Sequence, residues 1–347
     1  MTFVRLALPG AVAAGIVSFF AGAGSELSPS GGTEIRVIEA LEAHSGPQPG
    51  FRRNHAKGVC LSGWFESNGA GVRLSGAEVF KPGRVPVSGR FSVPGGRPSK
   101  PDNPNVVRSM ALHFALPNGE VWRTAMNDTP VFPVRDAQGF YDNLVALKHD
   151  TATGKPDPAR IKAFLEAHPE SARAMALIRD HPVSSGFADS TYNSLNAFQL
   201  IDAAGKAMPV RWSMVAVDSF EPQPELRPEG RDYLFDALVA RLQQGPVQWR
   251  LRLVIGQPED PTNDATLPWP ADRETVEVGT LTVTALESEA EGNCRDVNFD
   301  PLMLPRGIAP SDDPLLQARS AVYALSHSRR DGEAKQPSPV QVPSVSR

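Results

Sequence analysis

Three stretches of the chain carry side chains whose types and spacing could do chemistry. The first is Arg52-Arg53-Asn54-His55-Ala56-Lys57-Gly58, with His55 as the principal candidate. An imidazole ionises near pH 6.5 when unperturbed, so it can take up a proton and return it close to neutrality. The second is Asn127-Asp128-Thr129-Pro130-Val131-Phe132, whose Asn127 amide can orient a polar substrate without titrating. The third is Arg319-x-x-x-Tyr323-x-x-x-His327-x-x-Arg330. Residues four apart share one helix face, so Arg319 can stand beside Tyr323. A free phenol ionises near pH 10, and a guanidinium neighbour favours its anion.

The hydrophobic pattern marks out the elements that must position these side chains. Val72 and Leu74 alternate, and so do Val85, Val87, Gly89, Phe91 and Val93, which puts Arg90 and Ser92 together on the opposite face. Met110, Leu112, Phe114 and Leu116 alternate up to a Pro117-Asn118-Gly119 turn, and Val121 to Met126 return, which is a hairpin signature. A second hairpin joins Ala197–Ile201 to Val210–Val217 through Asp202-Ala203-Ala204-Gly205, and Val247 to Ile255 and Val278 to Thr284 read as further strands. So many antiparallel strands predict a β-barrel core, since closure removes exposed edges. Helices are expected over Glu34–His44, from Asp157-Pro158 to about Asp180 with a break at His168-Pro169, over Arg231–Gln244, and from Ser311 onward. The fold class is therefore α+β, with helices flanking a barrel.

Composition sets the outer limits. The 347 residues include 35 Lys and Arg against 39 Asp and Glu, which leaves no electrostatic footprint for nucleic acid. Proline is frequent, 33 residues, as suits loops and strand ends rather than a helical bundle. Two cysteines, Cys60 and Cys294, exclude a disulfide scaffold and a four-cysteine metal site. Their default is small buried hydrophobes, with an oxidised pair open if the protein is exported. Leu6 to Ala23 is almost free of charge, follows Arg5 and ends in Ala21-Gly22-Ala23. It reads as an export signal or, uncleaved, as a membrane anchor, so residues 1–33 are assigned to leader and linker and the protein to the periplasm or another exported location. The folded domain is expected over 34–330. Asp331 to Arg347, with three prolines, three serines and few large apolar groups, is expected to be disordered.

The chemistry-bearing stretches, in their order and spacing, resemble haem catalases. His-Ala-Lys-Gly at 55–58 resembles the catalase distal-histidine segment, and Arg90-Phe91-Ser92 its Arg-Phe-Ser strand. Asn127 to Phe132 resembles its Asn-Asn-Thr-Pro segment, with Arg135-Asp136 and Phe140 following at matching distances. Asp264 to Pro270 resembles the crossover before the proximal side, and Asn298-Phe299-Asp300-Pro301 the lead into the proximal helix. The resemblance implies haem b as cofactor, His55 as distal acid/base and Asn127 as the amide that binds peroxide. It gives Ser92 the second ring nitrogen of His55, and makes Phe132 and Phe140 the pocket walls. Arg52, Arg90 and Arg330 would pair with propionates, where guanidinium suits a carboxylate, and Arg319 and His327 would surround the porphyrin. Tyrosine ligation of haem iron is the known catalase arrangement, and the resemblance carries it to Tyr323.

Some positions depart from the larger catalases. Asn54 stands where they have an apolar residue, Asp128 replaces a second asparagine, and Pro133 stands where they often have phenylalanine. The chain is also expected to be without the longer N-terminal arm and extended wrapping region of typical catalases and without the flavodoxin-like domain that some add. It is thereby closest in kind to the small, often exported catalase-related peroxidases. The implied activity is reduction of hydrogen peroxide or an organic hydroperoxide at the expense of an unidentified electron donor. The alternatives on the same fold are a small true catalase dismutating hydrogen peroxide and a hydroperoxide-isomerising enzyme. Outside it are a non-catalytic haem-binding carrier or sensor and a cofactor-free β-rich envelope protein.

Overall fold

Apolar alternation becomes strand wherever it runs longer than a few residues. The computed structural model describes residues 31–224, 228–290 and 292–343, so the Leu6–Ala23 leader lies outside the described residues. The strands are β1 (Lys57–Ser67), β2 (Gly83–Val93), β3 (Ser109–Ala115), β4 (Val121–Asn127), β5 (Tyr192–Asn193), β6 (Phe198–Ile201), β7 (Ala207–Ala216), β8 (Val247–Ile255), β9 (Thr275–Ser288) and β10 (Ile308–Pro310). Eight of them close a barrel in the order β7-β5-β4-β3-β2-β1-β9-β8 and back to β7, while β6 and β10 extend β7 on one flank. The strand pairings are antiparallel.

Aromatic side chains fill the barrel. Phe114 stacks on Trp122 at 4.7 Å, Trp212 meets Trp122 edge-on at 5.1 Å, and Phe198 stacks on Trp212 at 4.1 Å. These inward residues sit at alternate positions of β3, β4 and β7, so the intervening residues face outward. That alternation creates the site: one row of the outer face runs Gly58–Ser92–Ser109–Asn127, and the next runs Cys60–Arg90–Ala111–Ala125.

The helices are α1 (Gly31–Ser45), α2 (Ala137–Ala146), α3 (Pro158–Ala167), α4 (Pro169–Asp180), α5 (Tyr233–Gln243) and α6 (Pro314–Asp331). His168 closes α3 and opens α4, as its proline neighbour predicts. Val37, Ile38 and Leu41 of α1 pack on Phe140, Tyr141 and Leu144 of α2 and on Val322 and Leu325 of α6. Together α1, α2 and α6 cover the outer face of β2, β3 and β4.

Several expectations are corrected. Val72 lies in a 3-10 turn, Ala70–Arg73, and is exposed, because four residues are too few to enforce a strand. The cap of α6 is Asp313, whose carboxylate accepts from Leu315 N at 2.9 Å, while Ser311 donates to the Thr262 carbonyl. The expected disorder beyond Asp331 is not what the described residues show. Val340 is 1 % exposed in the main core, its carbonyl accepts from Ser288 Oγ at 2.8 Å, and the Pro339 carbonyl accepts from Arg231 at 2.9 Å. One well-placed valine and a run of backbone hydrogen bonds dock a segment whose composition is poor in apolar groups.

Candidate active site

Between the barrel face and the three covering helices lies a cavity of about 500 Å³, a size ordinary for a cofactor site. Ten of the expected residues line it: Arg52, His55, Arg90, Ser92, Asn127, Phe132, Phe140, Arg319, Tyr323 and Arg330. They converge from segments up to 278 residues apart in the chain, from Arg52 to Arg330.

His55 is the last residue but one before β1, and its backbone is left-handed, with φ 55°. Few residues other than glycine adopt that region, histidine being among the more tolerant. Its neighbours hold it there. Asn54 Oδ1 accepts from the backbone N–H groups of His55 (3.0 Å) and Gly95 (2.7 Å), Ala56 N donates to the Gly95 carbonyl, and Arg90 donates to the His55 carbonyl at 2.9 Å. Two residues on, the buried Lys57 ammonium pairs with Asp102 at 2.6 Å and Asp232 at 2.7 Å, anchoring the strand start. Asn54 thus does backbone work that an apolar residue could not. Ser92 Oγ lies 3.5 Å from His55 Nδ1, on the neighbouring strand. Burial, then the charges of Arg90, Arg319 and Arg52, push the His55 imidazole down to about 3, so it stays neutral across the physiological range.

Asn127 ends β4 directly opposite Ser109, whose hydroxyl donates to Asn127 Oδ1 at 2.7 Å. That bond leaves the amide N–H groups free to donate into the cavity. Between these residues and Arg90, Ala111 and Ala125 give the barrel face a low, even floor. Phe132 and Phe140 stand at one side with ring centroids 6.0 Å apart. The adjacent Asp128 is largely shielded from solvent, and desolvation raises its carboxyl to about 6 despite Arg108 nearby.

On the opposite wall, α6 presents Arg319 and Tyr323. Arg319 donates to the Ala125 carbonyl at 3.0 Å and to Asn196 Oδ1, and Asn196 in turn donates to Asp313 Oδ2 at 2.7 Å. This buried chain fixes the helix against β4 and turns Tyr323 toward the cavity. Its hydroxyl makes no hydrogen bond among the described residues.

The third wall is electropositive. Glu289, 4 % exposed, accepts from Arg90 Nε at 2.7 Å and Arg52 Nη1 at 3.3 Å. Arg52 also donates to the carbonyls of Cys294 and Val297, both at 2.9 Å, and Arg330 to Val297 at 3.3 Å. Two guanidiniums thus share one carboxylate, and the third, Arg330, stands close enough to feel its charge. Burial and mutual repulsion lower Arg52 well below its ordinary value and bring Arg330 to about 10. Arg90 Nη2 is buried without any hydrogen-bond partner. A cofactor with two carboxylates fits this wall, supplying the missing acceptor and balancing the excess charge.

His327 is placed differently from expectation. It lies one turn beyond Tyr323, does not line the cavity, and its Nε2 pairs with the Asp296 carbonyl at 3.0 Å. Sequence reasoning also passed over Glu289, Ser109, Asn196 and Asp313 as site residues, and over α1 as a wall. Ser109 was findable, since it opens a strand that pairs with the strand ending at Asn127. Nothing local distinguishes Glu289 from Glu287 or Glu291 in the same acidic run.

Comparisons with known proteins agree with this geometry. The family model described as catalase matches residues 33–347. A catalase-related peroxidase of Synechococcus elongatus is 39% identical over 303 residues, covering 87% of this chain and 89% of that protein. One from Mycolicibacterium paratuberculosis is 36% identical, covering 87% and 96%. Among solved structures, a bacterial catalase superposes with a TM-score of 0.72 at 24% identity over 95% of this chain and 68% of that one, a likeness of fold.

Proposed function

Because the chain belongs to the catalase family, we propose that it is a haem b peroxidase that reduces hydrogen peroxide or an organic hydroperoxide with electrons from a separate donor. The observation that carries this reading is one cavity lined by a neutral imidazole and an amide donor on the barrel face and a free phenol on the covering helix.

The residues divide the work. Arg52, Arg90 and Arg330 would hold the two propionates, Tyr323 would ligate the iron, and Phe132 and Phe140 would exclude water beside the macrocycle. When bound, haem supplies the iron centre at which the peroxide O–O bond is cleaved. His55 Nε2 accepts the proton of the hydroperoxide and returns it to the departing oxygen, so neither charge develops in a dry pocket. Ser92 Oγ can accept from Nδ1 and so favours the tautomer with Nε2 free. Asn127 Nδ2 donates to the peroxide, held in that orientation by Ser109. Arg319, locked by Asn196 and Asp313, stands one helical turn from Tyr323 on the cavity side of α6.

Peroxidase is preferred over dismutase because two relatives that align over nearly their whole length are named catalase-related peroxidases. Export is supported by the Leu6–Ala23 run and by the Cys60–Cys294 disulfide, which suits an oxidising compartment. The test is donor oxidation by the haem-reconstituted protein with hydrogen peroxide and with an organic hydroperoxide. Donor-dependent turnover is expected with both. Rapid oxygen evolution from hydrogen peroxide without donor, and no turnover of the organic hydroperoxide, would make it a small catalase. Secretion of a reporter fused to residues 1–33 checks the location.

A further inference from the structure

The two cysteines form a disulfide placed against the cofactor site. Cys60 lies on β1, directly across from Arg90 in the β1–β2 register. Cys294 lies 234 residues further along, with the two Cα atoms 5.4 Å apart. Both are buried and pack with Phe299 against Val297 and Tyr323.

What this disulfide tethers is the chain leaving β9 at Ser288, whose described residues before Ile308 form no strand or helix. Its groups hold the electropositive wall. Glu289 pairs with Arg52 and Arg90, the Cys294 and Val297 carbonyls accept from Arg52, and Val297 also accepts from Arg330. The Asp296 carbonyl holds His327 of α6. No strand or helix ladder fixes these carbonyls; the tether at Cys294 is their one covalent hold, beside polar contacts such as Asn293 to the Ser288 carbonyl, Lys335 to Asp296 and Arg123 to the Asn298 carbonyl.

We propose that the Cys60–Cys294 disulfide is a redox latch on haem retention, an inference that rests on the haem reading above. Closed, it keeps the Glu289–Val297 stretch where its carboxylate and carbonyls aim Arg52 and Arg330 at the cofactor carboxylates. Open, it frees the stretch, and two of the three guanidiniums lose their fixed positions. Opening is a thiol–disulfide exchange: a dithiol gives two electrons and two protons, Cys60 and Cys294 each become a thiol, and the dithiol becomes a disulfide. Because both sulfurs are buried, exchange requires the stretch to lift. Bound haem, by engaging Arg52 and Arg330, resists that lift. The coupling is reciprocal, so whatever the closed latch adds to haem affinity, haem adds to resistance against reduction.

The experiment uses the haem-loaded full chain at 25 °C, with its absorption spectrum recorded first. Transfer of haem to an excess of apoglobin is followed with and without dithiothreitol, and free thiols are counted in parallel. Dithiothreitol is expected to speed haem loss about tenfold, and the thiols should appear more slowly in loaded protein than in haem-free protein. The double variant Cys60→Ser/Cys294→Ser should lose haem at the fast rate without dithiol and ignore its addition. Circular dichroism of the reduced wild type should keep its β-sheet signal. Unchanged haem transfer with both thiols free overturns the latch, as does loss of the sheet signal together with haem, which would make the bond a support of the whole fold. A wild-type protein that never takes up haem is recognised at the first spectrum and overturns the functional reading instead.

Discussion

The barrel face and the electropositive wall meet in one cavity but are built by different means. On the barrel face, Ser92, Ser109 and Asn127 sit in one cross-strand row, each placed by a ladder of backbone hydrogen bonds. A one-residue slip there would turn aromatic core residues out to solvent, so register and active-site geometry stand or fall together. On the electropositive wall, Arg52, Arg90 and Arg330 are held by a single buried carboxylate, two loop carbonyls and a disulfide. No hydrophobic pattern enforces that arrangement. The face that handles protons is therefore rigid by topology, whereas in the wall that binds carboxylates only Arg90 stands on the ladder and Arg52 is placed by polar contacts to a stretch with one covalent tether.

Substitutions can separate the two. The largest effect is expected from His55→Ala, which removes the proton carrier without touching a ladder bond. Peroxide turnover should fall about 10²–10⁴-fold while the absorption spectrum shows haem still bound. Loss of haem instead would show that His55 belongs to binding rather than to proton transfer. Gly58→Ala comes next, since a Cβ there would overlap the Arg90 guanidinium and the Phe91 carbonyl. We expect a loss of about 1–3 kcal/mol in urea unfolding and weaker haem retention. A neutral outcome would mean that Arg90 has room to move and that the wall is looser than its packing implies.

Asp128→Asn probes the barrel face by pH. Its folded carboxyl, near 6, lies above the unfolded value of 3.8, so the aspartate's stability is highest below pH 3.8 and is lost as pH rises through 6. The asparagine variant should be more stable above pH 6, by on the order of 1–3 kcal/mol, and indistinguishable in acid. An equal shift at pH 3 and pH 7 would break that account. His55 has the opposite sign: its folded value, near 3, lies below the unfolded 6.5. The unfolded chain gains a proton there first, so stability drops as pH falls from 6.5 toward 3, and His55→Ala should flatten this acid limb. The smallest effect is expected from Ser109→Ala, which unlocks the Asn127 amide. Turnover should fall by less than about tenfold and stability by about 0.5–1.5 kcal/mol. A loss as large as that of His55→Ala would make Ser109 part of the chemistry.

Much of the site was legible because its residues lie in short, ordered motifs on elements with a clear period. Arg90 and Ser92 are two apart in an alternating strand, and Arg319 and Tyr323 four apart in a helix, so their shared faces follow from geometry alone. The β3–β4 hairpin and the break at His168 were readable from turn and proline chemistry. Glu289, Asn196 and Asp313 were not, because each acts on a partner more than a hundred residues away and none sits in a period of its own. His327 shows the reverse error: its spacing on α6 is right, but the ring turns to the Asp296 carbonyl.

Covalent sequence alone settled which side chains share a strand or helix face, because side-chain direction repeats with the backbone every two or 3.6 residues. It also settled that eight or more amphipathic strands needed a closed sheet. Only the tertiary structure decided that the two cysteines meet, that one glutamate among several serves two arginines, and that a proline-rich end docks through Val340. Those outcomes depend on distances between segments remote in the chain, and such distances are set by how the barrel closes and what packs on it rather than by any local preference.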